Sequence, residues 1–128
     1  MAPKSGGIVV NTSSAAAFDG QSRETAYTAS KGAAAMTLPA ARELAAHRIR
    51  VVAVAPRRFR TPLMEGFHRD RLPEVIADVP HPHRLGNPEE FASLVRHIID
   101  NPMINGEVIR IDAALRMAFD TPRGSTKE

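Results

Sequence analysis

Residues 48–55 read Arg-Ile-Arg-Val-Val-Ala-Val-Ala, and this stretch decides the fold class. The run is rich in valine, isoleucine and alanine, with little alternation between apolar and polar positions. Such a pattern is typical of a parallel strand that is buried on both faces of a sheet. Pro56 follows directly and is expected to end the strand. Because parallel strands are joined by crossover helices, the flanking segments should read as helices and further strands.

The flanking segments do alternate in this way. In chain order, the predicted strands and helices are a strand at 7–10, a helix at 25–46, the strand at 48–55, a helix at 87–100 and a strand at 107–111. Residues 11–24 are predicted to form a loop. Residues 57–86 are predicted to be irregular, with short helices near 63–69 and 73–77. The order predicts the second half of a doubly wound α/β sheet, with about three parallel strands and flanking helices.

Two helix signals are specific. Pro39 interrupts the alanine-rich pattern of 25–46 and is expected to kink that helix or leave one backbone acceptor unpaired. Asn87-Pro-Glu-Glu90 is a helix start, since Asn87 can cap, Pro88 suits the first turn and Glu90 completes a capping box.

Tyr27 and Lys31 lie four positions apart in the predicted helix. That spacing places both side chains on one helix face. A fixed ammonium favours the ionised form of a neighbouring phenol, so the pair suits proton donation and acceptance. Ser14 lies upstream, just after the first strand, where its hydroxyl can hold a carbonyl oxygen while the tyrosine moves a proton. Ser13 is the near alternative to Ser14.

Three motifs resemble those of the short-chain dehydrogenase/reductase superfamily: Asn-Thr-Ser-Ser at 11–14, Tyr-Thr-Ala-Ser-Lys at 27–31 and Asn-Gly-Glu-Val at 105–108. Four stretches are similar to type II 3-hydroxyacyl-CoA dehydrogenases, which share a subfamily with some 17β-hydroxysteroid dehydrogenases. These stretches are 11–18, 36–42, 84–90 and 105–117. The resemblance covers only the second half of the family's fold. Gly6-Gly7 precedes a strand instead of following one, so the N-terminal cofactor-binding half is expected to be absent.

The resemblance implies a cofactor, NAD with NADP as the alternative, and a role for each motif residue. Ser14 would orient the substrate carbonyl, Tyr27 would be the general acid/base, and Lys31 would support Tyr27 and bind the nicotinamide ribose. The residues implied to bind the cofactor are Tyr27, Lys31, Pro56, Phe59 and Thr61. The implied substrates are a secondary alcohol, a ketone or an acyl-CoA.

Three residues depart from the family's pattern. Arg57 and Ala113 stand where the family has glycine, and Arg60 where close relatives have it. Glycine permits positive φ and close backbone approach to a ligand, which other residues do not permit cheaply. These replacements argue against tight cofactor binding by this chain.

The composition narrows the function classes. The chain has 128 residues, a net charge of +3, 43% hydrophobic residues and no cysteine, which excludes disulfides and thiolate chemistry. No apolar run reaches the roughly 18 residues of a membrane helix, and no signal peptide is evident, so a cytoplasmic location is predicted. Aromatic residues make up 5% and form no stacking array, which makes nucleic-acid binding unlikely.

Two clusters leave alternatives open. Arg57, Arg58 and Arg60 form either a solvated basic loop or an anion site for phosphate groups. His81 and His83 lack a third ligand at useful spacing, so no metal site is predicted and both are expected to be exposed loop histidines.

Two functions follow as expectations. The first is the C-terminal catalytic half of a dehydrogenase, spanning 1–119 with a loose polar tail at 120–128. The second is an inactive remnant that acts only as an interaction module. The isolated chain is expected to have little activity in either case. A homo-oligomer through helix 25–46 is predicted, because small alanines allow close helix approach and an unpaired strand edge recruits other chains.

Overall fold

The computed structural model describes residues 6–116, with His68 by its backbone only. In chain order, the strands and helices are β1 (Gly7–Thr12), α1 (Ala16–Asp19), α2 (Thr25–Ser30), α3 (Ala33–Leu44), β2 (Ile49–Pro56), α4 (Pro62–His68), α5 (Leu72–Ala77), α6 (Pro88–Asp100) and β3 (Val108–Ile111). Single 3₁₀ turns follow α3 at Ala45–His47 and α4 at Arg69–Arg71. The tail predicted at 120–128 and the boundary at 119 lie outside the described residues.

The three strands form one parallel sheet in the order β1-β2-β3. In the register, Gly7 lies opposite Ile49 and Ala53 lies opposite Val108. The predicted α/β class is therefore confirmed: this is part of a Rossmann-type parallel sheet with flanking helices. Strand positions agree with the predictions within two residues, and the predicted helices at 87–100 and in the 57–86 segment correspond to α6, α4 and α5.

The centre of the core is β2, as its unbroken apolar run predicts. Val51 to Ala55 are each 2% exposed or less. Val52 and Val54 pack with Ile98 of α6, and partly buried side chains surround them from β1, α6, β3 and the segment before β3. These neighbours are Ile8, Val10, Phe91, Leu94, Val95, Ile104, Ile109 and Ile111.

Polar contacts fix the segment that joins α6 to β3. The Arg50 guanidinium donates to four carbonyl oxygens near the end of α6, those of Ile98, Ile99, Asn101 and Ile104, at 2.8–3.1 Å. A cation at this position satisfies the carbonyls that a helix leaves unpaired at its C-terminus. Asn105 Oδ1 accepts from the Val51 N–H at 2.9 Å, which extends the edge of β2.

The prediction of one helix over 25–46 is wrong. Lys31 (φ −98°, ψ 11°) and Gly32 form a turn that separates α2 from α3. The Lys31 carbonyl accepts the Ser13 hydroxyl at 2.7 Å, so it leaves the helical ladder. Pro39 lies inside α3 and does not end it. The prediction of a loop at 11–24 is also wrong in part, since α1 lies within it and ends at Gly20, which has a φ of 57°.

Among residues 6–116, no helix is both long and apolar enough to cross a membrane.

Candidate active site

The strand ends of β1 and β2 open into a cleft of about 520 Å³, which residues of α2 and α4 also line. Twelve residues line it: Thr12, Ser13, Ser14, Tyr27, Lys31, Pro56, Arg57, Phe59, Thr61, Leu63, Met64 and Phe67. Every residue that the sequence analysis named as catalytic or cofactor-binding is among them: Ser14, Tyr27, Lys31, Pro56, Phe59 and Thr61. The structure thus brings these side chains to one cleft, while their roles stay a prediction.

The two serines after β1 differ in their hydrogen bonds. Ser13 is 1% exposed and donates its hydroxyl to the Lys31 carbonyl, which ties the strand end to the end of α2. Ser14 is 9% exposed, and its Oγ accepts from the Ala16 N–H at 3.2 Å. Because that bond uses a lone pair, the Ser14 O–H proton can still be donated to a ligand oxygen. The geometry favours Ser14 over Ser13 as the residue that contacts a ligand.

Tyr27 is half exposed and reaches the cleft from α2. The Lys31 Nζ lies 5.8 Å from the centroid of the Tyr27 ring, within the range of a cation–π contact. The turn at Lys31 does not separate the two residues, because the Lys31 N–H still bonds to the Tyr27 carbonyl at 3.2 Å. The ammonium therefore stays beside the phenol, as the four-residue spacing predicts.

Phe59 is positioned by a short backbone pairing with Gly86. The Gly86 N–H bonds to the Arg58 carbonyl at 2.9 Å, and the Arg60 N–H to the Gly86 carbonyl at 2.8 Å. A Cβ atom on Gly86 would lie 2.7 Å from Cε1 of the Phe59 ring, so only glycine leaves room for the ring there. The ring also meets Phe91 of α6 edge-on, with centroids 6.1 Å apart.

An apolar wall on α4 was missed by the sequence analysis. Leu63 and Phe67 line the cleft yet are 70% and 78% exposed, and Met64 lies between them. Thr61 begins this helix: its Oγ1 accepts from the Met64 N–H at 3.1 Å. The signal was present, because Leu63 and Phe67 stand four positions apart after Pro62, a spacing that gives one apolar face.

Arg57 also lines the cleft; it was noted above as a departure from glycine and as one of three arginines that form either a solvated basic loop or an anion site. Its backbone does not adopt positive φ, unlike Ala113 (53°) and Ala114 (61°). The expected backbone strain therefore occurs at the alanines after β3 and not at Arg57. Burial, and then the neighbouring Arg58, lower the pKa of the Arg57 guanidinium. Arg57 therefore adds a partly desolvated positive charge to the cleft.

The two loop histidines were predicted to be exposed. His81 and His83 are both exposed, and His83 Nδ1 lies 2.7 Å from the Val79 carbonyl oxygen. Within the described part of the chain, no three His, Cys, Asp or Glu side chains group closely enough to hold a metal ion.

Residues 1–115 match the family model described as Enoyl-(Acyl carrier protein) reductase, one of the short-chain dehydrogenase/reductase families. The chain belongs to the short-chain dehydrogenase/reductase superfamily. The resemblance drawn from the motifs is therefore confirmed, and members of this superfamily generally use NAD or NADP and act on small molecules.

Three relatives illustrate the match. The 3-hydroxyacyl-CoA dehydrogenase type-2 of Mus musculus is 52% identical over 112 residues, which are 87% of this chain and 43% of the mouse protein. The crystal structure of 3-hydroxyacyl-CoA dehydrogenase type-2 from Mycobacterium avium superposes with a TM-score of 0.82 at 42% identity, over 89% of this chain and 44% of that one. A short-chain dehydrogenase/reductase of the glucose/ribitol dehydrogenase type from Brucella melitensis gives 0.76 at 32% identity, over 87% and 46%. This chain spans less than half the length of each relative.

Proposed function

We propose that this chain is the C-terminal catalytic half of an NAD-dependent oxidoreductase that interconverts a secondary alcohol and a ketone. The observation that carries the proposal is the shared cleft, where a serine hydroxyl, a phenol and an ammonium meet at the strand ends. A ligand oxygen in that cleft has two hydroxyl donors and a nearby fixed positive charge. This donor set matches what a carbonyl needs when it is reduced to an alcohol.

Tyr27 is the proposed general acid/base. In the direction of reduction, its hydroxyl gives a proton to the carbonyl oxygen of the ligand; in oxidation, its phenolate takes the proton from the alcohol. Lys31 stabilises the phenolate, since its ammonium lies beside the ring. Tyr27 is half exposed, so the proton can afterwards be exchanged with solvent.

Ser14 is the proposed positioning donor. Its Oγ is held by the Ala16 N–H, so the O–H points away from that bond and donates to the ligand oxygen. Two donors on one oxygen hold the carbonyl still and stabilise the negative charge that develops on it.

The cleft residues suit the nicotinamide end of a cofactor. The Lys31 ammonium and the Tyr27 hydroxyl can contact ribose hydroxyls, and Pro56, Phe59 and Thr61 line the same cleft. The bound cofactor would supply or accept the hydride. The Arg57 charge opposes the positively charged oxidised nicotinamide, so we expect NAD⁺ to bind this chain with a millimolar dissociation constant or weaker. Calorimetry that gave a micromolar constant would contradict this expectation.

The names of the relatives suggest a 3-hydroxyacyl thioester of coenzyme A as the substrate. The chain at high concentration is expected to oxidise millimolar NADH slowly with a 3-oxoacyl-CoA, and Tyr27→Phe is expected to abolish that rate. Ser22→Ala, an exposed hydroxyl outside the cleft, is the matched control and should leave the rate unchanged.

The alternative is a remnant without activity that serves as an interaction module. Arg57 in the cleft and the strained alanines after β3 favour it. A wild-type rate no higher than that of Tyr27→Phe would select this alternative. A cytoplasmic location and a homo-oligomer through α2 and α3 stay predictions.

A further inference from the structure

Arg57 differs from the two other arginines of its loop in what its side chain contacts. The Arg58 guanidinium donates to the Val75 carbonyl and lies 3.8 Å from the Asp78 carboxylate. The Arg60 guanidinium lies 3.9 Å from the Glu65 carboxylate. Among residues 6–116, the Arg57 guanidinium has no carboxylate within ion-pair distance, and Arg57 lines the cleft. Of the three, only Arg57 presents a cation to a ligand there.

The cleft itself is positively charged. Its lining includes two cations, Lys31 and Arg57, and several hydroxyl groups, while none of the described lining residues is Asp or Glu. Burial and the neighbouring Arg58 lower the pKa of the Arg57 guanidinium, and the carboxylates of Asp19 and Glu24 raise it. A guanidinium stays protonated in proteins, so this partly desolvated cation gains stabilisation from an anion that enters the cleft.

Arg57 lies close to the proposed oxygen site. The Ser13 N–H bonds to the Val54 carbonyl at 2.8 Å, and the Ala15 N–H bonds to the Pro56 carbonyl at 3.1 Å. Ser14 therefore lies opposite Pro56 on the neighbouring strand, about 4.8 Å away, and Arg57 follows Pro56 directly. Because Ser14 and Arg57 line the same cleft, one small molecule can contact both residues.

We propose that Arg57 makes this cleft a site for a small organic carboxylate that also carries a keto or hydroxyl group, with the carboxylate on Arg57. The placing of the keto or hydroxyl oxygen at Ser14 and Tyr27 rests on the proposed function. A short 3-oxo or 3-hydroxy acid carries both of these groups. A guanidinium is well matched to this ligand, because its planar donor pair can bind both carboxylate oxygens.

The test is a ¹⁵N NMR titration of the full chain with acetoacetate and with methyl acetoacetate, which keeps the ketone and lacks the charge. We expect acetoacetate to shift the amide signals of Ser14 and Arg57, and the ester to bind about tenfold more weakly, the effect of one charged hydrogen bond. Arg57→Gln should weaken acetoacetate binding about tenfold and leave ester binding unchanged. Arg60→Gln, in the same loop and paired with Glu65, is the matched control and should bind like the wild type.

The inference is overturned if the acid and the ester bind equally, or if Arg57→Gln binds acetoacetate like the wild type. It is also overturned if inorganic phosphate binds as tightly as acetoacetate, since the site would then not select a carboxylate. Arg57→Lys keeps the charge and should retain part of the affinity, which provides a second variant if the glutamine variant does not fold. Arg57-dependent binding without NADH oxidation would leave this inference standing and count against the proposed function. NADH oxidation with methyl acetoacetate, in the absence of Arg57-dependent acetoacetate binding, would support the proposed function and count against this inference.

Discussion

The turn after β3 holds two alanines in the left-handed region of the backbone. Ala113 and Ala114 have φ values of 53° and 61°, and the Leu115 N–H closes the turn on the Asp112 carbonyl at 2.9 Å. Turns with positive φ at both central positions favour glycine or asparagine, because Cβ crowds the carbonyl oxygen in this conformation. We therefore expect Ala113→Gly/Ala114→Gly to stabilise the fold.

The magnitude follows from two opposing effects. Each alanine in the left-handed region costs roughly 1–2 kcal/mol, so the double change relieves roughly 2–4 kcal/mol. Each added glycine makes the unfolded chain more flexible, which lowers the free energy of unfolding by about 0.5–1 kcal/mol per residue. The net gain in the free energy of unfolding is about 1–2 kcal/mol. For a chain of this length, that raises Tm by roughly 5 °C.

Thermal and urea denaturation of the wild type and the double variant would measure the effect. Ala92→Gly is the matched control, because Ala92 is exposed inside α6, where glycine is expected to cost about 1 kcal/mol. The two variants should thus shift Tm in opposite directions. A double variant that melts at or below the wild type, while Ala92→Gly lowers Tm, would refute the strain argument.

Three other outcomes concern an ion pair, a helix end and an exposed surface. The Arg84 guanidinium, and then the Asn87 N–H, lower the pKa of Glu90 to about 2, so its stabilising contribution is present above pH 4.5 and lost as the pH falls to about 2. As the pH falls from 4.5 to about 2, the free energy of unfolding should therefore decrease less in Glu90→Gln than in the wild type. Arg50→Met should cost about 3 kcal/mol in urea denaturation, because it leaves carbonyls at the end of α6 unpaired. Arg42→Met, at an exposed position of α3, should cost little. The exposed Met36 and other apolar residues of α3 predict self-association, which a single monodisperse 13.9 kDa species in sedimentation at micromolar concentration would contradict.

The sheet could be predicted because its signals are local. An apolar run such as Val51 to Ala55 is typical of a strand that is buried on both faces. The Asn87 to Glu90 start fixes α6 by its own side chains, since the Glu90 carboxylate accepts the Asn87 N–H at 2.7 Å. The break at Lys31 could not be predicted, because it depends on a hydrogen bond from Ser13, which is distant in sequence.

The residues of the candidate site were also predictable only in part. Ser14, Tyr27 and Lys31 were found because their types and spacing carry the chemistry on their own. Among residues 6–116, Arg57 has no carboxylate within ion-pair distance, and the sequence could not predict this. It depends on which carboxylates the neighbouring arginines contact once the loop is folded. Ala114 was missed for a similar reason: only the folded turn shows that two residues, and not Ala113 alone, adopt positive φ.

The role of Tyr27 is tested most directly in a chimera that carries residues 6–116 in place of the matching segment of the Mycobacterium avium enzyme. We expect this chimera to oxidise NADH with acetoacetyl-CoA, and Tyr27→Phe to lower its kcat roughly 100- to 10,000-fold without changing the NADH dissociation constant. A Tyr27→Phe chimera that keeps the parent rate, or a folded chimera that binds NADH and never oxidises it, would contradict the proposed chemistry.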